Sequence, residues 1–180
     1  MGSVSSSFSL PPAVLASLRS AGSVGLCGSR SLVPPAALWS LVVASVPASA
    51  SVSCGCVGGL CGLARSAFPL ASVFSASGFG SGRSSFARRS VALVRSVASG
   101  PAPLWVSFPA VACPAGLVPS SSSSRCFRGL GSGSWASLAF AVGSRVPALL
   151  WLPAGVVPPS SWGFACLGGG WFFLPAPSLF

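Results

Sequence analysis

Apolar and small polar residues alternate along this chain in short runs, cut at close intervals by Gly, Pro and Ser, and one run keeps a helical period. Residues 84–99 contain neither Gly nor Pro. At about 100° per residue, Phe86, Leu93, Val94 and Val97 gather on one side, while Arg88, Arg89, Arg95, Ser85, Ser96 and Ser99 occupy the other. Ser90 is the polar exception inside the apolar face. The pattern predicts a basic amphipathic helix over 84–99. A second helix is expected over residues 36–46, an apolar stretch around Trp39 bounded by Pro35 and Pro47.

Elsewhere the punctuation dominates. Pro11 and Pro12 open a short helix candidate that runs from Ala13 to Ser20. Residues 134–152 hold a helical pattern interrupted at Gly143 and Pro147, and residues 100–133 read as a flexible connection that includes the Ser run 120–124. The tail from Pro153 is uncharged and carries Trp162, Trp171, Phe172 and Phe173 among Gly and Pro, the composition of an exposed aggregation hazard. Ile, Thr and Tyr are absent, so Val and Phe must carry strand propensity alone. The expectation is a mostly irregular, disordered, low-complexity chain with a few short α-helices, best over 84–99 and then 36–46, and no well-defined globular fold. No domain boundary can be drawn within residues 1–180, and no repeat with a period of 20 to 50 residues marks a solenoid.

Charge narrows the chemistry. The chain has net charge +10, all of it from Arg, with Asp+Glu 0 and His 0. General acid–base catalysis lacks its usual groups, and a nucleophilic Ser has no base to activate it. The chain is therefore expected not to be an enzyme and to use no cofactor. The same charge attracts polyanions without specificity, although only Arg83 to Arg95 form a local cluster.

Composition also speaks about the gene. Asp, Glu, His, Lys, Asn, Gln, Tyr, Ile and Thr are missing, and all of them need adenine in one of the first two codon positions. An adenine-poor strand lacks stop codons whether or not it is translated. Its complement would encode a charged, low-complexity polypeptide of the disordered type. The functional expectation is accordingly a chain without a specific biochemical function, a spurious or antisense open-reading-frame product. The alternative is a small hydrophobic membrane-associated protein, in which the basic helix docks on anionic lipid. There Arg88, Arg89 and Arg95 would lie near the headgroups, with Phe86, Leu93 and Val97 in the acyl boundary. No specific partner is expected. Localisation is left open, with membrane association the one candidate.

Three motifs stand out by their spacing. Cys54, Cys56 and Cys61 form C-x-C-x4-C, which Cys27 would complete as a four-thiolate set, yet the paired C-x2-C knuckles of zinc sites are missing. Seven cysteines leave an odd count and no clear signal peptide precedes them, so a disulfide framework is not expected. Gly78, Gly80 and Gly82, like Gly129, Gly131 and Gly133, read as flexible turns, since no Lys exists for a P-loop. The start Met1-Gly2-Ser3-Val4-Ser5-Ser6 fits the acylation pattern M-G-x-x-x-[ST], making Gly2 a candidate lipidation site.

Overall fold

A computed structural model describes residues 9–31, 33–55 and 58–177. Its short apolar runs pair as strands, and the Gly and Pro between them close the turns. The elements, in chain order, are α1 Pro12–Ser20, β1 Ser23–Gly28, α2 Ala36–Ser45, β2 Ser51–Gly55, α3 Leu60–Ala67 and β3 Ser72–Phe74. A 3-10 turn over Ala76–Phe79 leads to α4 Arg83–Ala98, β4 Pro103–Phe108, α5 Ser123–Cys126, α6 Gly133–Gly143 and β5 Ala148–Trp151. A second 3-10 turn, Ser160–Trp162, precedes β6 Ala165–Gly168 and β7 Trp171–Leu174.

The strands form one sheet in the order β3-β2-β1-β4-β5-β7-β6. β1 lies parallel to β2 and β4, β2 to β3, and β4 to β5. β7 runs antiparallel to β5 and to β6. Strand residues of a parallel sheet are covered on both faces, so they need not alternate apolar with polar. β4 shows how the two faces divide. Leu104, Val106 and Phe108 join a core with Val14 and Leu18 of α1, Leu38, Trp39 and Val42 of α2, and Leu60 and Ala64 of α3. Trp105, between them on the other face, joins Leu93, Val94 and Val97 of α4 and Leu138 and Phe140 of α6.

Two small residues allow that packing. A Cβ on Gly25 would overlap the Trp105 ring, so the glycine in β1 makes room for the indole of the neighbouring strand. A Cβ on Gly143 would overlap the Ser120 backbone, where the loop before α5 crosses the end of α6 and Ser120 N–H donates to the Ala139 carbonyl at 3.2 Å.

The expectation of a mostly irregular, disordered, low-complexity chain without a defined globular fold is overturned by this α/β sheet. Helices do occupy Arg83–Ala98 and Ala36–Ser45, but as crossovers that cover opposite faces of the sheet. The stretch 100–133, expected as a flexible connection, contains the central strand β4. The tail after Pro153 folds back through β6 and β7, with Trp162 and Trp171 buried rather than exposed. Pro11 and Pro35 stand at the N-caps of α1 and α2, where a missing N–H costs nothing, in keeping with the helix starts expected there. Among the described residues no helix is long and apolar enough to cross a membrane.

Candidate functional site

The chain leaves β1 toward β2 and leaves β4 toward β5, so the connections part between these two central strands. In open α/β sheets the crevice beyond the carboxyl ends of strands at such a reversal is where ligands bind. A cavity of about 910 Å³ opens there. Its wall is built from the exit of β1, the start of α3, the first turns of α4, the loop after β4 and the turn leading into α6.

Glycine sets the first part of the wall. β1 ends at Gly28, where a Cβ would lie 2.8 Å from the Leu60 side chain, so this residue lets α3 close against the strand. Gly59, at φ +67°, begins α3 with the carbonyls of Ser29 and Arg30 at 2.5 and 2.7 Å from where its Cβ would be. Ser29 N–H donates to the Phe108 carbonyl at 3.0 Å, tying the exit of β1 to the end of β4.

The second part is the entry to α6. Gly129 and Gly131 hold positive φ of 80° and 108°, which L side chains rarely adopt. A Cβ at Gly129, Gly131 or Gly133 would meet nothing within 4 Å, so the turn offers bare backbone to open space. Ser132 caps the helix by accepting from Trp135 N–H at 3.5 Å. A helix start with exposed N–H groups and the positive end of the helix dipole favours an anion.

The third part is cationic. Arg30, Arg83 and Arg89 line the crevice, together with Phe86 and Ser90. Phe86 is 40% exposed, and the guanidinium carbons of Arg30 and Arg89 lie 5.4 and 6.0 Å from its ring centre. Arg89 donates through Nη2 to Ser90 Oγ at 3.3 Å. Its Nε and Nη1 are buried and have no partner among the described residues. Gly55 makes that placement possible, since Nη1 sits 2.5 Å from where a Gly55 Cβ would be.

The thiols nearby are quiet. Burial, and to a lesser extent neighbouring Cys61, push the Cys27 thiol up to about 12 against the opposing pull of Arg89, Ser137 and the Gly28 backbone. Burial also raises Cys113, to about 11, and Cys126. A thiol held neutral is a poor nucleophile and a poor metal ligand. Among the described residues no group of three or more metal-ligating side chains comes together. Cys56, the middle member of the cysteine motif, lies outside the described residues.

The residues assigned to lipid docking are divided by the fold. Phe86 and Arg89 face the crevice. Leu93 and Val97 are 4% and 0% exposed against the sheet, so they do not form an outward apolar face with Phe86. Arg88 and Arg95 are exposed, and Arg88 donates to Ser84 Oγ at 2.9 Å. Gly2 lies outside the described residues. Gly80 and Gly82 form the approach to α4, with Gly82 at its N-cap. Sequence reasoning missed Arg30, Gly28 and Gly59, although the run Ser23–Gly28 followed by Ser29-Arg30 carried a signal: an apolar strand length ending in Gly between two helix candidates.

The topology and the crevice together define an open, doubly wound α/β protein with a mixed sheet and an arginine-lined crevice at its strand reversal. No protein-family model, curated protein or solved structure matches the chain.

Proposed function

We propose that this chain binds a phosphate-bearing small molecule of nucleotide size in the crevice between β1 and β4, and that it is a binding protein rather than an enzyme. The observation that carries the reading is Arg89, a guanidinium whose Nε and Nη1 are buried beside the cavity with no partner among the described residues. Leaving such donors unpaired is costly. No Asp or Glu exists in the chain to satisfy them, so the natural partner is an anion from outside.

The remaining groups fit that ligand. A cavity near 910 Å³ lies within the range of small-molecule sites. The bare turn before α6 supplies backbone donors, Arg30 and Arg83 add positive charge, and the partly exposed Phe86 side chain adds apolar contact. Catalysis by the chain's own side chains lacks a carboxylate, an imidazole and an amine, and the Cys27 thiol stays protonated at neutral pH.

Titration calorimetry with a nucleoside monophosphate, the matching uncharged nucleoside and inorganic phosphate tests this. The phosphorylated ligand should bind and the nucleoside should bind far more weakly. Arg89→Leu should reduce affinity by roughly 10- to 100-fold, the worth of about 1.5–3 kcal/mol for hydrogen bonds to a charged group. Equal binding of nucleoside and nucleotide, or no binding of either, would overturn the proposal.

A further inference from the structure

We propose, on the phosphate reading of the crevice, that it takes a nucleoside diphosphate as the metal-free anion, so that Mg2+ antagonises binding instead of assisting it. The wall presents anion-accepting groups on two different helices. Arg89 of α4 brings a guanidinium whose Nε and Nη1 are buried with no partner among the described residues. The turn 129–133 at the start of α6 brings bare backbone and the positive end of the helix dipole. Both line one cavity of about 910 Å³, and a diphosphate offers a separate group to each. Arg30, Arg83 and Arg89 line the same cavity with no acid to offset them, so attraction grows with the charge of the ligand. A phosphate monoester carries about −1.5 to −2 at neutral pH. A diphosphate carries more.

The side-chain oxygens of the wall decide the form in which that ligand enters. Sites that accept a magnesium–phosphate complex hold the metal through carboxylates beside the phosphates. Here the side-chain oxygens lining the cavity are serine hydroxyls, which are neutral and already engaged. Ser29 and Ser31 bond to each other at 3.0 Å, as do Ser132 and Ser134 at 3.1 Å. Ser84 and Ser90 accept from Arg88 and Arg89 at 2.9 and 3.3 Å, so a dication seeking either oxygen would meet a guanidinium beside it. Chelation by Mg2+ also cancels two units of the ligand charge that the arginines attract. The magnesium complex therefore loses attraction and gains repulsion in this crevice, whereas the free diphosphate does neither.

Calorimetric titration of the full chain with adenosine diphosphate and adenosine monophosphate, in chelator and in excess Mg2+ at matched ionic strength, tests the proposal. In chelator the diphosphate should bind about tenfold tighter than the monophosphate, and excess Mg2+ should weaken the diphosphate by about tenfold or more. The monophosphate chelates Mg2+ weakly and should change little, which separates loss of ligand charge from general screening. Arg83 is exposed on the first turn of α4, so Arg83→Gln should leave the fold intact. That variant should weaken the free diphosphate and shrink the effect of Mg2+. If the monophosphate binds but the diphosphate binds no tighter, or if Mg2+ leaves the diphosphate unchanged or tightens it, this proposal is overturned and the phosphate reading stands. If neither nucleotide binds in either buffer, both are overturned.

Discussion

Arg89 sits where a charged side chain is hardest to justify by stability alone. Its Nε and Nη1 are buried with no partner among the described residues, and Gly55 leaves space for the guanidinium at the cost of a side chain of its own. Replacing an unpaired buried cation by an apolar residue of similar length removes a desolvation cost. Arg89→Met should therefore leave the thermal midpoint of the ligand-free chain unchanged or raise it, while abolishing the extra stability that a phosphate-bearing ligand confers. Thermal unfolding with and without ligand separates the two effects. A marked loss of stability in the ligand-free variant would assign Arg89 a structural role. Ser90 belongs to the same argument. It stood out as the polar exception on an apolar helix face, and the fold gives it a partner in the Arg89 guanidinium.

At the scale of elements, helix α4 was legible because sixteen residues without Gly or Pro display a complete period. Strand β4 was not, because a strand buried on both faces carries no alternation to detect. Pro103 opens the strand and Pro101 precedes it, within a stretch whose Pro, Gly and Ser content favours a flexible connection. The glycines at 129, 131 and 133 spell only a flexible turn in sequence, and the fold alone shows that this turn enters α6 at the rim of a cavity. Packing between elements yields a sharp expectation at Gly25. Gly25→Ala would push a methyl into the Trp105 ring and should cost about 1–3 kcal/mol, the usual penalty of overpacking. Denaturant unfolding measures it. Gly62→Ala provides the contrast, because a Cβ there meets nothing within 4 Å and a helix gains from the exchange.

For the whole molecule, the absence of Asp, Glu and His has a consequence for pH. Acid unfolding proceeds mainly by protonating carboxylates and buried histidines, and no side chain of those types is present. Stability should be nearly flat from about pH 2 to pH 8, where only chain termini titrate among groups with ordinary values. The alkaline side differs. An unfolded Cys27 ionises near 9.0, whereas in the folded chain it holds its proton to about 12. The unfolded state thus loses the proton first, and the stability present below pH 9 is lost progressively as pH rises toward 12. Thermal midpoints across the whole range check both statements, and a steep acid transition near pH 4 would contradict them.

The sequence by itself determined the chemical inventory: one kind of cation, no side-chain base, abundant small residues, and the helix with its Arg and Phe86. Those follow from residue identity and local period. The tertiary structure decided that short apolar runs 28, 43 and 80 residues apart pair in parallel at the centre of one mixed sheet, which no local pattern encodes because those partners are remote in sequence. It also decided that Arg30, Phe86, Arg89 and the turn before α6 meet around one crevice. Strands that run the same way deliver their following loops to the same end of the sheet, so residues remote along the chain become neighbours there.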